Sequence, residues 1–286
     1  MRHKSSQESG NGGRKMDDGL EDLFRALYLG RFIQTLWNAF DPRNRKNGWR
    51  LKSKLWMPWF FDMRDLGDDP ETFYSVCGEM VCMISQYEDI DNLLAVEMAG
   101  IPLVGGVSSH LVSIGTPRRF AYTRPLKTKV RNPNDLMTVL EQSNVDDYGQ
   151  KDLIEGRMRD GDRFAIFDDM ATTLDSKIIA RAILLYQAEE RGIDLTCDTV
   201  FYFLDRGKES KKTGLNFANY PNKDLWPAPL RVDFVISFDK HLPVLEEVMT
   251  PNEFQAIIDH QKDPKRFGED EEWRRSLFKM AEKEAH

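Results

Sequence analysis

The stretch Phe164-Ala165-Ile166-Phe167, followed at once by Asp168-Asp169 and then by Thr172, Thr173 and Ser176, constrains this chain more than any other. Four apolar residues bounded in this way read as a buried parallel strand that ends in a loop and then the N-terminus of a helix. In open α/β sheets, ligands bind at that junction. Adjacent carboxylates at a strand end are costly unless solvated or bound, and each can accept two hydrogen bonds from vicinal sugar hydroxyls. Thr172, Thr173 and Ser176 add hydroxyls and N–H groups where the helix dipole favours phosphate. The plainer alternative is that Asp168 and Asp169 only cap the helix that follows.

The periodicity along the rest of the chain fits that reading. Leu20, Leu23, Phe24, Leu27 and Tyr28 recur at helical spacing, ahead of the turn-rich segment 41–48. A better-marked helix has Asp69 as its cap, Pro70 at its first position, and one apolar face of Phe73, Val76, Cys77, Met80, Val81 and Ile84. Then come a strand over 92–96, a loop over 99–102, a helix over 107–114 and a strand over 120–123. After the acidic pair a helix spans 176–191, stopped by Gly192, and a strand follows over 200–204. Strand and helix alternate, so a mostly parallel α/β sheet is expected. In the 176–191 helix, Lys177, Arg181, Glu189 and Glu190 are assigned to the solvated face. Thr250-Pro251-Asn252-Glu253 forms a capping box opening a helix to about 260, and a last charged helix surrounds Trp273, Leu277 and Phe278. This tail has too few apolar residues for its own core, so it is expected to pack on the domain or join subunits.

Composition narrows the function classes. At 286 residues, with 41% hydrophobic and 30% charged, one domain with extensions is the default. A net charge of −7 argues against a phosphate-tracking surface, so no nucleic-acid partner is expected. Three cysteines without a CxxC pair fit a reducing cytoplasm and core packing. The five histidines are too scattered for a metal cage, and no apolar run is long enough to cross a bilayer. A cytoplasmic protein with no membrane partner and no metal held by protein alone is expected.

The acidic stretch, FAIFDDMATTLDS, resembles the signature of the type I phosphoribosyltransferases. The segment from Leu51-Lys52-Ser53 through Pro58-Trp59-Phe60-Phe61 is similar to the orotate-binding segment of the orotate branch. Gly100-Ile101-Pro102, Arg124, Tyr148-Gly149, Leu153-Ile154-Glu155-Gly156, Gly161-Asp162 and Leu204-Asp205-Arg206 follow in the family's order. The resemblance implies a type I phosphoribosyltransferase-like α/β fold with a mostly parallel central sheet flanked by helices. It also implies a small N-terminal hood around 49–62 and a lid over 124–150, within a domain of residues 17–249. Residues 1–16 are expected as a disordered tail and 250–286 as a helical C-terminal extension.

The implied activity is transfer of phosphoribosyl from 5-phosphoribosyl 1-diphosphate to orotate or a similar base, with Mg²⁺ carried mainly by the donor. By the same resemblance, Asp168, Asp169, Lys129 and Arg124 serve catalysis, while Lys52, Phe60, Phe61, Thr172 and Arg206 hold the base. Thr172, Thr173, Asp175 and Ser176 hold phosphate, Lys127, Lys129 and Tyr148 belong to the lid, and a homodimer is implied. A planar anion independently suits a guanidinium, an ammonium and an aromatic face. The plainer alternatives are that Phe60-Phe61 is core and that Arg206 pairs with Asp205. Three departures touch phosphate handling. Leu174-Asp175 replaces small residues, Ala99 stands where a lysine is usual, and the lid is lengthened. A carboxylate about 4 Å from a phosphate charge costs ~4 kcal/mol at an effective dielectric of 20. A transferase of altered donor or base, and a ligand-sensing protein on a degenerate frame, are the alternatives.

Overall fold

The computed structural model describes residues 16–50, 55–126, 153–172, 174–206 and 231–284. Lys52, Lys127, Lys129, Tyr148 and Thr173, the N-terminal tail and the lid beyond 126 lie outside the described residues. In chain order the elements are α1 Met16–Leu29, β1 Ile33–Thr35, α2 Pro42–Asn47, β2 Trp49–Arg50, β3 Trp56–Met57, β4 Trp59–Phe61, α3 Pro70–Ile84, β5 Asn92–Ala95, α4 Gly100–Ser113, β6 Arg119–Thr123, β7 Ile154–Glu155, β8 Asp162–Ala171, α5 Asp175–Glu190, β9 Leu195–Asp205, β10 Arg231–Ser237, α6 Phe238–His241, α7 Pro251–Lys262, α8 Pro264–Glu269 and α9 Glu271–Glu284.

The central sheet has the order β10-β9-β8-β5-β6-β7, parallel throughout except for β7, which runs antiparallel to β6. From β5 the chain moves outward to β6 and β7, then returns to the other side of β5 and continues as β8, β9 and β10. The strand order therefore reverses between β5 and β8, and the crevice beyond their C-terminal ends is the ligand position of an open α/β sheet. Helices α3 and α4 pack on one face with α1, and α5 covers the other.

Sheet residues alternate between the two layers as the pleat requires. Phe167 and Ala165 enter the α3/α4 core, while Ile166 and Phe164 enter the α5 core. Helix α3 starts where expected, with the Asp69 carboxylate accepting from the N–H groups of Glu71 and Thr72 and Pro70 in the first turn.

Four readings of the sequence change. Strand β8 is ten residues long and runs through the acidic pair, because Asp168, Met170 and Ala171 pair with Tyr202, Leu204 and Asp205 of β9. Helix α4 begins at Gly100, seven residues before the expected start. A Cβ on Gly100 would stand 3.1 Å from the Phe167 carbonyl oxygen, so glycine lets the helix begin against β8. Lys177 and Arg181 are 3% and 4% exposed, not solvated. They share a helical stripe with Leu184 and Ala188, and the stripe is sealed by the sheet. Cys77 and Cys197 are buried as expected, whereas Cys82 is exposed.

A third apolar cluster joins the two ends of the chain. Leu36, Trp37 and Trp56 of the N-terminal segment pack with Ala256 of α7 and with Leu277 and Ala281 of α9. The tail thus packs within its own chain. Glu253 of α7 is fully buried and accepts hydrogen bonds from the Tyr28 hydroxyl (2.9 Å) and the Thr35 hydroxyl (2.5 Å). Its own N–H donates to Thr250, half of the anticipated capping box.

Candidate functional site

The site is built at the reversal point, from the end of β8, the loop after β5, the start of α5, the end of β9 and the hood strand β4. The loop after β5 is fixed on both sides. Val96 N–H donates to the Phe167 carbonyl at 2.9 Å, and Glu97 N–H donates to the Thr123 hydroxyl at 3.0 Å. Its Glu97–Met98 peptide is cis. Helices α2, α3, α7 and α8 have side-chain caps, but α4 and α5, which begin at the site, have none. The residues at their cap positions, Ala99 and Leu174, carry no side-chain acceptor for the first N–H groups. Neither aspartate caps α5, whose cap position is Leu174.

The two carboxylates meet different surroundings. Asp168 shares the α5 side of β8 with Ile166 and forms a buried ion pair with Lys177 at 2.6 Å. Its other oxygen accepts from the N–H of Asp169 at 2.9 Å. The Lys177 ammonium also donates to the Met170 carbonyl. Asp169 takes the N–H of Met170 at 2.7 Å. Burial, and secondarily the charge of Asp168, push the Asp169 carboxyl up to about 8, against the opposing influence of Lys177. The sequence reading gave both aspartates to a sugar. One of them is instead engaged by a buried lysine of the same chain.

Arg206 continues the β8–β9 ladder, with its N–H bonded to the Ala171 carbonyl at 2.8 Å. Its guanidinium carbon lies 4.4 Å from the Trp59 ring centroid, and Trp59 also stacks on Phe238 at 4.2 Å. The polar contacts of this guanidinium among the described residues are two thioethers, Met57 Sδ at 3.6 Å and Met170 Sδ at 3.9 Å. Its Nε is buried without a hydrogen-bond partner, as is Nε1 of Trp59. Burial lowers the guanidinium to about 10, although Asp169 opposes the shift. The neighbouring Asp205 turns away and accepts from Tyr202 at 3.2 Å.

Other expected residues are placed less directly. Phe61 is fully buried in the main core, so its ring has no surface left to wall a ligand. Alternation along β4 leaves Phe60 half-buried and stacked near Trp49 at 6.2 Å. The aromatic beside Arg206 is Trp59. Thr172 and Ser176 are exposed at the start of α5 and Asp175 is half-buried there. Arg124 pairs with Glu155 of β7 at 2.7 Å. Among the described residues no group of three or more His, Cys, Asp or Glu side chains is arranged to hold a metal ion, and no helix is long and apolar enough to cross a membrane.

Residues that the sequence reading passed over also converge here. Lys177 carried a signal in its stripe with Leu184, whereas Met57, Trp59 and Met170 had none beyond being apolar. Arg64, paired with Asp62 at 2.6 Å, also feels the charge of Asp169. His260 of α7 bonds the Trp56 carbonyl at 3.1 Å. Burial lowers its imidazole to about 4, the carbonyl opposes this, and the charge of Arg206 adds to the lowering. The C-terminal extension thus reaches the Arg206 side of the site.

No family model and no curated protein matches the sequence. Solved structures do match. UMP synthase from Leishmania donovani superimposes with a TM-score of 0.56 at 18% identity, over 85% of this chain and 42% of that one. This chain therefore spans less than half the length of the Leishmania protein. Orotate phosphoribosyltransferase from Aeropyrum pernix superimposes with a TM-score of 0.50 at 18% identity, over 79% of this chain and 97% of that one. The reversal of strand order between β5 and β8, with helices on both faces, thus belongs to a polypeptide that has the phosphoribosyltransferase fold.

Proposed function

We propose that this protein transfers a phosphoribosyl group from 5-phosphoribosyl 1-diphosphate to orotate or a similarly flat, anionic base. The observation that carries the reading is the Arg206 guanidinium, desolvated on Trp59 between two sulfurs, with no carboxylate within ion-pair distance among the described residues. A half-buried guanidinium with a buried, unpartnered Nε is costly unless an anion arrives. A planar carboxylate-bearing ring supplies both a bidentate acceptor and a face.

In this reading the base nitrogen forms its bond to the ribosyl anomeric carbon as the bond from that carbon to the diphosphate oxygen breaks. The diphosphate leaves with the bonding electrons. Asp169 faces the sugar, and positive charge developing on the ribose favours its ionised form. The N-terminus of α5 with Thr172 and Ser176 receives the 5'-phosphate, and Lys52 joins Arg206 on the base. Mg²⁺ bound together with the donor would supply charge neutralisation of the leaving diphosphate. Positioning and electrostatics account for such catalysis, with little proton transfer needed.

A second reading, a protein that binds the planar anion without turnover, is favoured by the Asp168–Lys177 pair, which occupies a carboxylate the sugar would use. Ala99 also leaves the diphosphate side without the cation usual there. One experiment separates the readings. The protein is incubated with Mg²⁺, the phosphoribosyl donor and orotate, and the orotate absorbance is followed, with calorimetric titration of orotate alone in parallel. Consumption of orotate that is lost in Asp168→Asn/Asp169→Asn supports transfer. Orotate binding without consumption supports the second reading, and neither binding nor consumption removes both.

A further inference from the structure

A second cavity, of about 220 Å³, lies on the seam between the N-terminal segment and the last helix and shares none of the residues assigned to sugar, phosphate or base. Its walls include Lys46 at the end of α2, Arg50 and Trp56, which face each other in the β2–β3 ladder, and Glu271, Arg274 and Arg275 of α9. Four cations thus converge with one carboxylate in a protein whose net charge is −7.

The one carboxylate is already shared. Glu271 lies 3.1 Å from Arg275 and 3.9 Å from Arg274. Among the described residues no carboxylate lies within ion-pair distance of Lys46 or Arg50. Arg274 is held in place, with its side chain 16% exposed and its guanidinium 5.6 Å over the Trp56 ring. Lys46, Arg50 and Arg275 are exposed, so water and salt screen their repulsion, and a multivalent anion held by the fixed Arg274 guanidinium would draw them together. Guanidinium and ammonium together match phosphoryl oxygens, and the volume suits a diphosphate group more than a whole nucleotide.

We infer that this seam is a binding site for a diphosphate group, either free or at the end of a nucleotide. Filling it ties α9 to the β2–β3 hairpin, whose connecting residues include Lys52. Trp56 transmits the contact, because it also meets Trp273 and Phe278 of α9 edge-on and offers its carbonyl to His260. The inference does not depend on the proposed transfer reaction.

The test is calorimetric titration of the full chain with inorganic diphosphate, ADP and citrate, in magnesium-free buffer at physiological salt. The proteins compared are the wild type and Lys46→Ala/Arg50→Ala/Arg275→Ala. A further variant, Arg157→Ala/Lys240→Ala/Lys265→Ala, removes three exposed cations elsewhere. We expect diphosphate to bind the wild type and to raise its melting temperature. Affinity should fall at least 30-fold in the seam variant and stay within about twofold in the remote-cation variant. ADP binding as well as diphosphate identifies a nucleotide source, and much weaker ADP binding identifies free diphosphate. Diphosphate affinity that survives in the seam variant, an equal loss in the remote-cation variant, equal binding of citrate, or no binding at millimolar diphosphate would each overturn the assignment.

Discussion

Lys177 and Arg206 lie on either side of the same two aspartates and are held in opposite ways. Lys177 is closed off by Asp168 and by the Met170 carbonyl. Arg206 has two sulfurs, an indole face and an unsatisfied Nε. A buried cation whose hydrogen bonds are met by its own chain serves the frame, because nothing remains for a ligand. A buried cation with its donors unspent is poised for one, since sulfur is a weak acceptor and a charged hydrogen bond contributes more than a neutral one. The Asp168 side of the site is therefore largely self-satisfied and the Arg206 side is not.

The hardest blow to this contrast is Lys177→Met. Removing one partner of a buried ion pair costs about 3–5 kcal/mol, which in a chain of this size lowers the melting temperature by roughly 10 °C. The double change Asp168→Asn/Lys177→Met should recover most of that loss. A single variant that melts with the wild type would show that the pair adds nothing to the frame.

Arg206→Ala probes the other half. It should weaken orotate binding about 100-fold, near the upper end for charged hydrogen bonds, and leave the melting temperature unchanged or higher. Calorimetry with the donor should show little change. Equal losses for donor and base would dissolve the division into two sides.

A third test concerns pH. The Asp169 carboxyl is raised to about 8 in the folded chain, mainly by burial, against an unfolded value near 4. Between those values the native state holds a proton that the unfolded chain has lost. Its contribution to stability therefore declines as pH rises from about 4 to 8, and changes no further above that. Urea unfolding across this range should show a shallower fall in Asp169→Asn than in the wild type. Parallel curves would mean that Asp169 is ionised throughout.

Much of the frame was legible because it rests on local signals. Asp69 with Pro70 announced α3, Thr250 with Glu253 announced α7, and the apolar run before Asp168 announced β8. The short hood strands and β10 were not foreseen. Strands of two or three residues carry no periodicity, and the half-buried residues of β10 gain their order by pairing with β9.

The candidate site was legible in its residue types but not in its partners. Asp168, Asp169 and Arg206 do meet at one end of the sheet. The sequence left open whether Phe60-Phe61 was core or ligand wall, and nothing near it revealed that the ring beside Arg206 would be Trp59. Strand parity relative to a distant layer decides that, and a one-residue change of register reverses it.

The sequence by itself determined the alternation of strands and helices, the caps, and an acidic pair at a strand's end, because each follows from spacing within a dozen residues. Only the tertiary structure decided that Lys177 would close on Asp168, that Arg206 would be left with sulfur and indole, and that the last helix would brace Trp56. Those outcomes depend on which surfaces lose water together, and desolvation belongs to the assembled layers and not to any one segment.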